Sequence, residues 1–104
     1  MPKYMVLWKS NPSTWPTDPK ALLTLMEKVT AGGDMLLKSG AMKEIGSFSS
    51  TEGYALVEAE SKANVLEITA AFNPFFTETI HEIVPWEQGT QAMLRAYRQA
   101  AGSS

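Results

Sequence analysis

The stretch Gly53-Tyr54-Ala55-Leu56-Val57-Glu58-Ala59-Glu60-Ser61 decides the fold. Residues 54–60 read as a β-strand, because alternate side chains of a strand point to opposite faces. One face would carry Tyr54, Leu56 and Glu58, the other the smaller Ala55, Val57 and Ala59. Ser61 is a good N-cap, so the strand runs straight into a helix over about 62–73. Val65, Ile68, Thr69 and Phe72 form its apolar stripe, and Asn73-Pro74 ends it. Upstream, residues 42–48 form a weaker strand, joined to 54–60 through the turn Ser49–Gly53 as a hairpin. Downstream, residues 78–84 form another strand, closed by Pro85.

The N-terminal part adds one more strand and helix. Residues 4–9, Tyr-Met-Val-Leu-Trp-Lys, are strand-length and apolar on both faces, as a central strand is. The loop over 10–19 holds three prolines and ends in Asp18-Pro19, a cap followed by proline at the first helical position. Helix 1 then spans about 19–39, with Leu22, Leu25, Met26, Val29 and Leu36 in one phase. That phase continues through Gly32-Gly33, so the reading is one helix, with Gly33 allowing close approach to the sheet; a break at the glycines is the alternative. Gly40 suits the C-terminal cap. After Trp86, residues 88–101 form a third helix with Met93, Tyr97 and Ala100 on one side, and Gly102-Ser103-Ser104 is expected to fray.

The order β-α-β-β-α-β plus a C-terminal helix is an α+β, ferredoxin-like arrangement, expected as a single domain over 1–104. Two crossover helices cover one face of such a sheet and leave the other open. The open face here is too apolar for water. A second copy of the same sheet is the expected cover, giving a homodimer or higher homo-oligomer as a dimeric α/β barrel.

Composition narrows the chemistry. The chain has 104 residues, net charge −2, no cysteine and one histidine. Thiol chemistry, disulfides and histidine-dyad sites are therefore excluded. Neither a metal-ligand spacing nor a glycine-rich phosphate loop is present, so no metal or cofactor is expected. The acidic balance argues against nucleic acid; Gly53–Glu58 has Glu52 where an RNA-binding strand motif carries Lys or Arg, and Leu56 and Ala59 in place of stacking aromatics. There is no signal-like or membrane-length apolar segment, so a cytoplasmic protein without membrane partners is expected.

From Gly53–Ser61 through Pro74-Phe75-Phe76 to Ile80-His81-Glu82-Ile83-Val84-Pro85, with Leu36–Gly40 at the end of helix 1, the chain resembles muconolactone-isomerase-like and related small families of the dimeric α/β barrel superfamily. The resemblance implies that barrel. It also implies an activity drawn from cofactor-independent isomerases, monooxygenases or cyclases, or none.

Candidate chemistry rests on few residues. Glu58 and Glu82 either point into one cavity on the open face, with Tyr4, Val6 and Trp8 between them, or each lies near a sheet edge or rim, solvated or paired with Lys or Arg across the interface. A carboxylate against apolar walls acts as a base near neutrality. His81 would then face the helices with Thr79 and Ile83; with the faces inverted it becomes the best general base. Trp8, Trp15, Tyr54 and Leu56 would line a pocket for a flat ligand, with Trp15 a lid in its loop. Trp86 reads as core or interface packing, and Met5, Met26, Met35, Met42 and Met93 as gap-filling core residues. Two functions stay open. One is a cavity that binds, and isomerises by proton transfer, a small apolar or aromatic organic acid or lactone. The other is an assembly module whose barrel is filled by its own side chains.

Overall fold

The computed structural model describes residues 1–102, and Ser103 and Ser104 of the expected frayed tail lie outside the described residues. The elements run β1 (Lys3–Ser10), α1 (Pro19–Ser39), β2 (Met42–Ser47), β3 (Glu52–Glu58), α2 (Lys62–Ala70), β4 (Phe76–Ile83) and α3 (Trp86–Ala100). The four strands form one antiparallel sheet in the order β2-β3-β1-β4, an α+β architecture compatible with the ferredoxin-like arrangement. The proline-rich loop after β1 contains a short 3-10 turn, Pro12–Thr14.

Local chemistry explains the helix limits. The Asp18 carboxylate accepts from the Ala21 backbone N–H, with Pro19 in the first turn. Gly40 closes α1 at φ 81°, the left-handed conformation that glycine adopts without strain. Between them α1 is unbroken through Gly32 and Gly33. Close approach does not require glycine there: an added Cβ would meet Phe72 at 3.6 Å or Ile45 at 3.5 Å, ordinary contact distances. Ser61 caps α2 through Asn64 N.

Register fixes the faces. Tyr4 lies opposite Val57, Val6 opposite Ala55 and Trp8 opposite Gly53. These residues share the face that Val65 and Thr69 of α2 help to cover. Tyr4, Val6, Met42, Ala55, Val57, Ala59 and Val65 make the core, with Val6, Val57 and Val65 fully enclosed. The expected placement of Tyr4, Val6 and Trp8 on the open face is thus corrected. Both faces of β1 are apolar, so alternation alone did not orient it; pairing with the small residues of β3 does. The open face carries Met5, Leu7, Tyr54, Leu56 and Glu58, as expected for the β3 side chains.

Two further expectations change. Met35 and Met93 are largely exposed rather than core, and Trp86 is 83% exposed. Trp86 opens α3, which packs closely on no other element and has no buried residue. The molecule is therefore drawn out to 66 × 28 × 21 Å, with a radius of gyration of 18.2 Å, against about 13 Å for a compact chain of this length. Among the described residues, no helix is long and apolar enough to cross a membrane.

Candidate functional site

A cavity of about 410 Å³ lies between α1 and the covered face of the sheet. It exists because α1 is seated along one edge. The helix packs on β2, and its apolar stripe (Leu22, Leu25, Met26, Val29) is only half-buried. The lining on the sheet side includes the small Ala55 together with Val6 and Ile45. At Gly53 the Trp8 ring lies directly over the backbone, and a Cβ there would collide with that ring and with the Gly46 carbonyl.

Four aromatic rings wall one end. Phe76 is their hub: its ring meets those of Trp8 and Trp15 at centroid distances of 5.7 Å and that of Phe72 at 6.5 Å, all edge-on. The Trp8 indole N–H donates to the Tyr54 carbonyl (3.2 Å), and that of Trp15 to the Phe75 carbonyl (2.9 Å). With both N–H groups satisfied, the two rings act as apolar walls. Trp15 lines the cavity from the loop after β1, held in place by the bond to Phe75.

Glu78 is the titratable group that β4 delivers to this wall. It lies opposite Trp8 and lines the cavity. With its amide turned so that the nitrogen faces the two acceptors beside it, the Asn73 side chain donates to the Phe76 carbonyl (2.6 Å) and to Glu78 Oε2 (3.1 Å). Among the described residues no protein donor reaches Oε1. Burial pushes the Glu78 carboxyl above the ordinary glutamate range. Asp34 of α1 is a second carboxylate on the lining, and Thr30 and Ser47 add hydroxyls. Among the described residues no three His, Asp or Glu side chains converge as a metal site would require.

The expected carboxylate pair does not meet. Glu82 lies opposite Tyr4, on the helix side of the sheet, whereas Glu58 lies opposite Lys3 on the open side, 3.6 Å from Lys43 Nζ. His81 lies opposite Met5, so it is exposed on the open face, the inverted of the two arrangements considered. Tyr54 and Leu56 are on that open face too, away from the cavity; Val6, Trp8 and Trp15 line it. The strand expected over 78–84 begins two residues earlier, at Phe76, and this places Glu78 inside β4 rather than at its end. Its signal was present: Phe76, Glu78 and Ile80 share one strand phase, so a carboxylate stands between two inward apolar residues.

The open face holds a shallower depression of about 350 Å³, lined by Leu7, Phe48, Thr77 and Thr79 among others. Beside it, Tyr54 stacks on Phe48 (centroids 5.5 Å apart) and its hydroxyl donates to Glu44. That hydrogen bond holds the Tyr54 hydroxyl above its usual pKa.

No curated protein sequence matches the chain. A family model does, over residues 2–97, which take in all four strands, α1, α2 and most of α3. This chain therefore belongs to the family described as a domain of unknown function, DUF3303.

Proposed function

We propose that this protein is a cytoplasmic homodimer in which the cavity under α1 binds a small, flat, largely apolar organic molecule and moves a proton on it through Glu78. The carrying observation is a carboxylate oxygen, Glu78 Oε1, left without a protein donor in an aromatic-walled cavity of ligand-site size. A raised pKa suits such a group to take a proton from carbon near neutrality. In an isomerisation that proton returns to a different carbon of the same molecule. The step balances without a cofactor.

Surface area supports the second copy. The protomer exposes 7363 Å², whereas a compact monomer of 11.4 kDa exposes about 5,800 Å². The excess, about 1,600 Å² per protomer, is in the range that permanent homodimers bury. It coincides with apolar surface: Met5, Leu7 and Leu56 on the open face, and Trp86, Met93, Leu94 and Tyr97 on α3.

The test is deuterium incorporation from D2O into unsaturated lactones and enones, followed by NMR with wild type and Glu78→Gln. Binding with incorporation only in the wild type is expected. Binding without incorporation in the wild type overturns the proton transfer, and absence of binding across the panel overturns the ligand site. Sedimentation velocity addresses the dimer, which a stable monomer at micromolar concentration would exclude.

A further inference from the structure

We infer that the cavity under α1 selects by charge, taking ligands that carry no negative charge and that present a hydroxyl or ammonium donor to Glu78, and rejecting carboxylates. The inference rests on reading that cavity as a ligand site and names the class of molecule it takes. Of the two ligand classes the sequence suggested, organic acids and lactones, it keeps only the uncharged one and admits protonated amines.

The argument is the composition of the lining. Two carboxylates, Glu78 and Asp34, contribute to it, and no Lys, Arg or His does. The two indole N–H groups, which could have received an anion, are both committed to backbone carbonyls. Asn73, the amide donor beside the site, is spent on Phe76 O and Glu78 Oε2. A carboxylate ligand would lose its water, meet like charge and find only hydroxyl donors. A donor group gains instead. Glu78 Oε1 is an acceptor lacking a partner, and a hydroxyl or ammonium there makes a charge-assisted hydrogen bond. The Trp8 and Trp15 rings stand on the same lining, and the face of such a ring attracts a cation.

The experiment uses three naphthalenes of one shape: 2-naphthol, 2-naphthylmethylamine and 2-naphthoic acid. Their affinities for the full chain are measured at neutral pH by tryptophan fluorescence and by calorimetry. The naphthol and the ammonium are expected to bind, with the acid about tenfold weaker or worse. Glu78→Gln, isosteric and uncharged, is expected to weaken the ammonium and strengthen the acid. Asp34→Asn, on the exposed helix, gives a second variant that does not disturb the sheet. Equal or tighter binding of the acid overturns the charge selection while leaving the ligand site standing. Failure of all three to bind overturns the ligand site itself, and the selection with it.

Discussion

The two faces of the sheet are built from the same strands and solve different problems. On the covered face, Val6, Val57 and Val65 interlock with almost no exposure. Toward the Trp8 end, the same face hollows out beneath α1. On the open face, Met5 and Leu56 pair across β1 and β3 in equally good register, yet both stay only half-buried. Apolar content does not distinguish the faces. What differs is side-chain size: β3 turns Ala55, Val57 and Ala59 toward the helices and Tyr54, Leu56 and Glu58 away. Small residues admit helices from the same chain, and the larger ones lie on the face turned away from those helices.

Neighbouring substitutions in β3 would test this contrast most strongly. Leu56→Glu is expected to weaken the proposed dimer at least about 100-fold by placing a charge on the apolar face it would bury, read by sedimentation equilibrium. Val57→Ala, one residue away, is expected to leave dimer affinity unchanged and to cost about 2 kcal/mol, roughly 10 °C in Tm. Similar effects of both on association would erase the distinction between the faces.

A smaller effect probes the hollow end. Because burial raises the Glu78 pKa in the folded state, the folded protein binds this proton more tightly than the unfolded chain does. The associated stability is present below the ordinary glutamate range and is lost as pH rises through the raised pKa. Glu78→Gln should therefore raise Tm near neutrality, and the gain should disappear in acid. The side chain is only half-buried, so solvent screens it and the shift is expected to be modest. A gain independent of pH would show that desolvated charge is not its source.

The smallest concerns the helix above the cavity. Gly32→Ala places a methyl at ordinary distance from Phe72 and is expected to stabilise α1 by about 0.5–1 kcal/mol, measured by urea titration. A loss instead would mean that α1 needs the freedom of glycine.

Much of this was legible in the chain. The faces of β3, the caps at Asp18, Gly40 and Ser61, and the continuity of α1 all follow from local rules. The orientation of β1 was not, because Tyr4/Val6/Trp8 and Met5/Leu7 are both apolar sets and register with β3 decides between them. That one choice carried the expected site with it, moving Tyr4, Val6 and Trp8 under the helices and separating Glu58 from Glu82. Glu78 required knowing that β4 begins at Phe76, two residues before the strand signal became clear.

The seating of α1 has a mechanical meaning. A 21-residue helix packed along β2, with its stripe half-buried, is joined to the body by a seam rather than clamped across its width. Tilting about that seam would change the width of the slot beneath it without breaking any strand pairing. A flat guest of the kind proposed, seated in that slot, would serve as the missing half of the helix's own core.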